Sequence, residues 1–335
     1  MEELVSIIIP AFNAEHWITD TIRSALGQTW SKKEIIIVDD GSTDGTLAIA
    51  RSFESTHVKV LAQQNKGVSA ARNHGLSFAQ GQYIQWLDAD DLLAPDKIMN
   101  QLKSAEKGQS SRILLTSRFG TFYYCHDRAK VRPTVLWQDL SPVDWLLNKF
   151  NEQVWMNPAT WLVSRKLTEK AGPWNERLVR DNDGEYICRV VAASEKVRFM
   201  REAMSYYRVS NLGSLSNSLS DKASESIALS LSLCIEYVLT LENSERARRA
   251  CLNYLQFFMP MFYPEKEELL RKLHALASGL GGELAVPEMN WKYAVFKRVA
   301  GVKAAKAFMV RSARTKFKAI SNFDRILCGV LHRVH

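Results

Sequence analysis

The segment QYIQWLDADDLLAP, Gln82 to Pro95, sets Asp88, Asp90 and Asp91 within four positions directly after an apolar run. Carboxylates held this close repel one another unless a cation or a proton neutralises them. The Asp88-Ala89-Asp90 spacing suits a hard divalent cation, which takes one or two carboxylates and completes its shell with water and phosphate oxygens. A turn that caps the next helix is the plainer reading. IIIVDDGSTDGT places Asp39 and Asp40 after a β-branched run, where a carboxylate accepts hydrogen bonds from a base or ribose and glycines let the backbone approach a ligand. NKGVSAARNHG places Lys66 and Arg72 at the mouth of a helix, where cations meet phosphate. Here the plainer readings are Asp44 as a helix cap and Arg72 as a solvated helix residue.

The elements that must position these groups alternate between two kinds. LVSIII reads as a strand, and EHWITDTIRSALGQ as a helix with Ile18, Ile22, Ala25 and Leu26 at helical spacing after an Asn13 cap. EIIIVDD is a second strand, STDGTLAIARSF a capped helix, VKVLAQ a third strand, and VSAARNHGLSFAQG a helix closed by Gly81. YIQWLD is the fourth strand, with a helix starting at Pro95. Such alternation makes right-handed parallel crossovers and an α/β sheet covered on both faces. Ligands bind beyond the carboxyl ends of such strands, where Pro10 to Asn13, Asp39, Asp40 and Asp88 to Asp91 all fall.

After RILLTSRFGTFYY the alternation weakens and Trp137, Trp145, Trp155, Trp161 and Trp174 gather. They either shape a pocket for sugars or pack, and packing is the commoner role. From about Asp221 the chain reads as helical to its end.

Composition narrows the class. The 335 residues are 46% hydrophobic, enough for a sizeable core, and the five cysteines include no C-x-x-C pair, so neither a disulfide framework nor a zinc site is expected. MEELVSIIIPAF has no basic leader, and its apolar run stops at Pro10, so no cleaved signal peptide is expected. Ser226 to Leu241 is apolar but short, serine-rich and interrupted by Glu236, and reads as a buried helix. The net charge of +8 is concentrated in one place, because the residues from Met289 onward hold 11 Lys and Arg against Asp324 alone.

The ordered set VSIIIPAFNAE, IIIVDDGSTDGT, NKGVSAARNHGL and YIQWLDADD resembles the family 2 glycosyltransferases, and the likeness extends over roughly residues 4 to 210. The resemblance implies a GT-A type, Rossmann-like, mostly parallel sheet with helices on both faces, here with a helical C-terminal extension. The expected domain spans 1–220, with a nucleotide-sugar half over about 1–110 and an acceptor half over about 111–220, followed by helical residues 221–335. The resemblance further implies that Pro10, Ala11, Phe12, Glu15, Asp39, Lys66, Arg72 and Asp88 bind the nucleotide-sugar. Asp90, with Asp88, would hold Mn²⁺ or Mg²⁺ against the diphosphate. GPWNERLVRDNDGEYICRV fits the family's frame for the base, with Asn182-Asp183 where Glu-Asp is common. Asp183 is the expected base, Asp181 and Glu185 the alternatives, and helix capping the plainer reading of all three.

Transfer of a single sugar with inversion is therefore expected, in polysaccharide, glycolipid or other glycoconjugate synthesis of the cell envelope. The donor would be a nucleoside-diphosphate sugar, with a UDP-sugar favoured, and the acceptor a saccharide or lipid-linked saccharide. The Q-x-x-R-W motif of processive relatives is missing, as is a histidine after SYYRVSNLGSLS. Two other readings compete. A haloacid-dehalogenase-type phosphatase also uses a strand followed by D-x-D, but on its first strand; a non-catalytic nucleotide-sugar-binding scaffold would not need Asp39, Asp88, Asp90 and Asp183 together. A dinucleotide-dependent oxidoreductase would need G-x-G-x-x-G after the first strand.

In the tail, Ile320, Phe323, Leu327, Val330, Leu331 and Val334 share a helical face opposite Lys318, Arg325, His332 and Arg333. This stripe is expected to pack on protein or a second copy, with an anionic membrane surface as the alternative and nucleic acid excluded for want of a recognition motif. The location expected is cytoplasmic, peripheral at the inner face of the cell membrane.

Overall fold

The computed structural model describes residues 3–103, 112–209 and 220–287, together with 301, 304, 308, 311, 312, 315 and 317–328. The chain opens with β1 (Val5–Ala11), α1 (Ile18–Leu26), β2 (Lys33–Asp39), α2 (Thr46–Arg51), β3 (Val58–Ala62), α3 (Val68–Phe78) and β4 (Tyr83–Trp86). Strand β1 pairs in parallel with β2 and β4, and β2 with β3. Their alternating side chains divide between two layers, as the period of a strand requires. Ile7, Ile9, Ile35 and Ile37 pack with Ile18 and Ile22 of α1, while Ile8 joins the core under the opposite face and Ile36 and Val38 meet Ala71 of α3. Gly75 lets α3 lie close on the sheet, since a Cβ there would meet Ile8 Cγ2 at 2.6 Å.

The second half completes a mixed sheet. It comprises β5 (Leu92–Leu93), α4 (Lys97–Lys103), β6 (Ile113–Phe122), β7 (Lys130–Val131), α5 (Pro142–Glu152), β8 (Leu162–Ser164), α6 (Arg165–Ala171), α7 (Asn182–Ala193) and β9 (Lys196–Arg208). The order is β3-β2-β1-β4-β8-β6-β9-β5, with β7 on β6. Strands β6 and β9 pair in parallel, whereas β8 and β5 run antiparallel to their neighbours. The sheet is thus parallel throughout its first half and mixed beyond it. Local boundaries differ from the sequence expectation in three places, the first being α3, which ends at Phe78 with Ala79 as its C-cap, so Gly81 does not close it. Helix α4 begins at Lys97 because the short strand β5 and a turn at Pro95 and Asp96 precede it. Asn13 does not cap α1; it adopts φ 48, and its Oδ1 accepts the N–H of Thr43 at 2.9 Å.

Helices α8 (Asp221–Leu241), α9 (Glu245–Phe262) and α10 (Glu267–Gly279) follow. They share a core with the sheet: Ile227, Leu231, Cys251, Leu255 and Leu273 belong to the same cluster as Trp86, Trp145, Trp161 and Trp174. Those four tryptophans are fully buried. Helix α8 is apolar and long enough to cross a bilayer, yet half of its apolar window is buried within the protein. Its serines explain its composition. The Ser226 hydroxyl donates to the carbonyl of Arg180 at 2.6 Å, and that of Ser230 to Asp181 Oδ2 at 2.5 Å, so α8 fixes the chain entering α7.

The helical segment 317–328 docks through its polar side. Asp324 accepts the N–H groups of Tyr124 and Cys125 at 3.0 and 3.4 Å and pairs with Arg128 at 3.1 Å, while the Phe317 ring lies 5.6 Å from that of Tyr123. Of the expected stripe, Ile320 and Phe323 are exposed and Leu327 is half-buried, so its described part does not pack against the body of the chain; the adjacent Ile326 is exposed too. Val330, Leu331, His332, Arg333 and Val334 lie outside the described residues.

Candidate active site

The parallel register sets the first wall. Ala11 pairs with Asp39 at the carboxyl ends of β1 and β2, and the loops beyond them are laced together. The backbone N–H of Asn13 donates to Ser42 Oγ at 3.0 Å, and Glu15 Oε2 accepts the N–H of Gly45 at 2.8 Å. Pro10 and Ala11 are buried, whereas Phe12 is 49% exposed at the rim. The two adjacent aspartates differ in employment. Asp40 accepts from the Gln63 side chain at 2.7 Å and from the N–H groups of Lys66 and Gly67 at 2.9 and 2.8 Å, which organises the entry to α3. Asp39 accepts the N–H of Ser42 through Oδ2, and its buried Oδ1 has no partner within the protein. A buried acceptor left unpaired costs roughly 1–3 kcal/mol, so a donor group of a ligand is the natural complement. Lys66 contributes its backbone; its side chain is exposed. Asp44 bonds the N–H and hydroxyl of Thr46 at 3.0 and 2.5 Å, a capping role.

Arg72 is the joint of the site. It projects from α3 and is only 3% exposed, so it is not a solvated helix residue. Its Nη2 meets Asp88 Oδ1 at 2.6 Å, its Nη1 donates to Asn182 Oδ1 at 3.0 Å, and its guanidinium lies 4.0 Å from the ring centre of Trp174. Trp174 in turn stacks on Tyr186 at 3.9 Å and meets the edge of Trp86. The turn after β4 is thereby tied to the first residue of α7.

That turn is clamped on its other side as well. The Thr21 hydroxyl donates to the carbonyls of Ala89 and Asp91 at 2.9 and 3.0 Å. Asp91 is fully buried, accepting from Asn157 Nδ2 at 3.1 Å and from the N–H of Arg208 at 2.9 Å. Burial, then the charges of Asp90 and Asp88, push its carboxyl well above the usual range. Arg208 donates from Nε to the carbonyl of Asp90 at 2.9 Å while its guanidinium sits between the rings of Trp17 and Phe122, at 4.3 and 4.5 Å. Asp88 and Asp90 stay half-buried.

At the start of α7 three acids separate by environment. Asp181 adopts the left-handed conformation at φ 55, which Asp tolerates better than most residues. A Cβ on Gly184 would collide with its carboxylate. Its carboxyl is pushed up to about 6, first by burial and then by Asp183, against the opposing influence of the Lys149 ammonium and the Ser230 hydroxyl. Glu185, named as a catalytic candidate from the sequence, is 1% exposed; Arg189 holds it at 2.7 and 3.1 Å and the Tyr237 hydroxyl donates to it at 2.7 Å. That carboxylate is committed to fastening α7 to α8, and an acceptor hydroxyl has no access to it. Asp183 is half-buried and makes no hydrogen bond or ion pair to another described residue.

Tyr207, near the end of β9, brings these groups together. Burial, then the charges of Asp91, Asp90, Asp183 and Asp88, hold its hydroxyl protonated far above its ordinary range. Asp183 and the three acids of the turn thus all act electrostatically on one phenol. Sequence reasoning missed Tyr207, Arg208 and Asn157. Arg208 alone left a signal, an arginine inside the otherwise apolar and aromatic run AMSYYRV.

Residues 6–141 match the profile of the family described as glycosyl transferase family 2. A glycosyltransferase named GlyG from Streptococcus pneumoniae is 28% identical over 223 residues, covering 62% of this chain and 71% of that protein. A cholesterol galactosyltransferase from Borreliella burgdorferi is 28% identical over 271 residues, covering 77% of this chain and 73% of that protein. A chondroitin synthase from Escherichia coli is 40% identical over 116 residues, 34% of this chain and 17% of that protein. Among solved structures, S. aureus TarS 1-349 in complex with UDP-GlcNAc superposes with a TM-score of 0.66 at 18% identity, covering 83% of this chain and 80% of that one, a likeness of fold. With the strand-end motifs in place on this sheet and the profile matched across them, residues 6–141 form a family 2 glycosyltransferase segment.

Proposed function

We propose that the chain transfers one sugar from a nucleoside-diphosphate donor, UDP favoured, to an acceptor hydroxyl with inversion. The observation that carries this reading is the Arg72 bridge, which sets Asp88 and the start of α7, hence Asp183, on one site. Asp39 Oδ1 accepts from the nucleoside, and the loops after β1 and β2, through Pro10, Ala11, Phe12 and Glu15, frame it. Asp183 takes the acceptor proton as the acceptor oxygen bonds to the anomeric carbon and the bond to the diphosphate breaks on the opposite face. Arg72 holds Asp88 in place toward the donor, and the protonated Tyr207 hydroxyl supplies a hydrogen-bond donor among the carboxylates.

Asp90, with Asp88, is the donor set for Mn²⁺ or Mg²⁺. No group of three or more ligating side chains exists among the described residues. Two carboxylates fit a hard cation that shares the diphosphate oxygens as ligands, since Mg²⁺ characteristically pairs one or two carboxylates with substrate phosphates. When bound, such a cation supplies Lewis-acid stabilisation of the charge on the leaving diphosphate. The phosphatase reading is disfavoured because the D-x-D lies beyond β4, with Asp39 already poised on a neighbouring strand end.

The acceptor is a saccharide or lipid-linked saccharide of the cell envelope, and the protein works in the cytoplasm at the inner membrane face. What supports the membrane reading is the outward stripe of Ile320, Phe323 and Ile326 beside Lys318 and Arg325. Asp324, the single acid from Met289 onward, is turned inward on Arg128, so the outward face is apolar and basic, the complement of an anionic bilayer.

Four outcomes are expected. In a thermal-shift panel of UDP-, GDP-, CDP- and dTDP-sugars, one nucleotide stabilises the protein, more strongly with Mn²⁺, while Mn²⁺ alone does little; no shift with any donor and no transfer would sink the proposal. Asp183→Asn keeps the donor-induced shift and lowers the transfer rate by about 10²–10⁴; surviving transfer would remove Asp183 as base. Arg72→Met strands Asp88 and Asn182 and lowers unfolding free energy by about 3 kcal/mol in chemical denaturation, with transfer reduced as well; a wild-type melt would deny the joint. The protein floats with phosphatidylglycerol vesicles but not phosphatidylcholine ones, and Phe323→Glu with Ile326→Glu abolishes flotation; equal behaviour on both lipids contradicts the membrane reading.

A further inference from the structure

Trp155 is the only tryptophan with an exposed side chain among the described residues, at 44%, although neighbouring tryptophans of the same segment are fully buried. An indole presents a flat apolar face with a polar edge, and this one is both open and held fixed on the loop that joins the Asp88–Asp91 turn. Two rings fix it from behind. Phe119 lies 5.2 Å away and Tyr207 4.9 Å away in an edge-on arrangement, centre to centre. The loop that carries it is fixed too. It leaves α5 through Gln153 at φ 55, and two residues beyond Trp155 the buried Asn157 donates to Asp91 at 3.1 Å. Asn157 Oδ1 is itself buried and unpartnered. The open indole is thus tethered to the Asp88–Asp91 turn through Asn157 and packs on the ring of Tyr207, whose neighbour in β9, Arg208, bonds Asp91 and the carbonyl of Asp90.

We propose that Trp155 is the stacking platform of the acceptor subsite, receiving the apolar face of an acceptor pyranose ring whose free hydroxyl reaches Asp183. The proposal rests on the transferase reading and adds the side chain that receives the acceptor sugar and the ring form it must present. A pyranose offers a flat patch of C–H groups to an indole and hydroxyls at its edge, whereas a flexible polyol phosphate or a simple lipid alcohol offers no such face. Phe119 and Tyr207 set the angle of the indole and are positioning residues for it.

The test uses the full chain, the donor found active in the nucleotide-sugar panel, and methyl glycosides and their disaccharides as acceptor probes. Hydrolysis of the donor by water is followed alongside, because it reports the donor side without an acceptor. Trp155→Ala should raise the acceptor KM about tenfold, equivalent to ~1.4 kcal/mol of lost contact, while kcat, donor hydrolysis and the thermal shift with donor stay at wild-type values. Trp155→Phe should restore much of the loss. An unchanged acceptor KM in Trp155→Ala overturns the platform, as does a fall in kcat with KM constant. A wild-type protein that hydrolyses donor yet transfers to none of the pyranosides overturns the acceptor class. Failure to bind or hydrolyse any donor is a different result, which removes the transferase reading itself.

Discussion

The Arg72 guanidinium is a full positive charge placed where water hardly reaches, and the site is organised around satisfying it. One carboxylate, one amide oxygen and one aromatic face meet it, each from a different part of the chain, with Nε left without a hydrogen bond: Asp88 after β4, Asn182 at the start of α7, and Trp174 in the segment between α6 and α7. Buried ion pairs add little net stability, because desolvation consumes most of the attraction, but breaking one is costly. Their value here is geometric. A guanidinium is a planar fork with fixed donor directions, so two partners bonded to it cannot drift independently. Removing the fork would leave the turn with Asp88 and Asp90 and the helix with Asp183 connected only through general packing.

Such a joint is needed because the two walls have different origins. The first is produced by parallel pairing, which aligns the ends of β1 and β2 residue for residue and brings Ala11 beside Asp39 without any special contact. The second depends on α7, and α7 is placed by helices rather than strands. Ser226 and Ser230 of α8 hold its entry, and Glu185 with Arg189 and Tyr237 fastens its first turns. A register error of one residue in a strand is forbidden by the pattern of buried side chains. A helix has no comparable lock and needs polar contacts to fix its rotation and depth.

This difference governs what could be read from the sequence. The strand–helix alternation, the parallel first half and the polar strand ends follow from period-two and period-3.6 patterns, which are local. The pairing of β6 with β9 is not local, because most of the second half of the domain lies between the two strands, and β5 is too short to carry a pattern. The employment of Glu185 was visible in principle, since Arg189 stands four residues on, at helical ion-pair spacing. Its hydroxyl partner on α8 was not, and neither was the electrostatic influence of four carboxylates on Tyr207, which arises only when β9 and the turn after β4 meet. The stripe in the tail was legible as a periodic face, but which face turns inward was decided by one residue, Asp324, whose bonds to Tyr124, Cys125 and Arg128 compensate its charge.

The acids of the site obey a common rule. In each cluster at least one carboxylate is committed to building the protein while another keeps part of its hydrogen-bonding capacity. Asp40 organises the loop before α3 while Asp39 keeps one oxygen without a hydrogen bond; Asp91 is fully buried on Asn157 and Arg208 while Asp88, paired with Arg72, and Asp90 are only half-buried; Asp181 and Glu185 are bonded to α8 while the Asp183 carboxylate has no hydrogen bond to another described residue. Crowding of like charges therefore serves two purposes at once. A buried carboxylate that accepts backbone and side-chain donors locks the local backbone, because it cannot be left without them. Its neighbour inherits that rigidity and keeps part of its own hydrogen-bonding capacity to present to a ligand. Sequence motifs that repeat acids at adjacent positions, such as Asp39-Asp40 and Asp90-Asp91, then have a physical reason to be pairs: one member builds the wall from which the other acts.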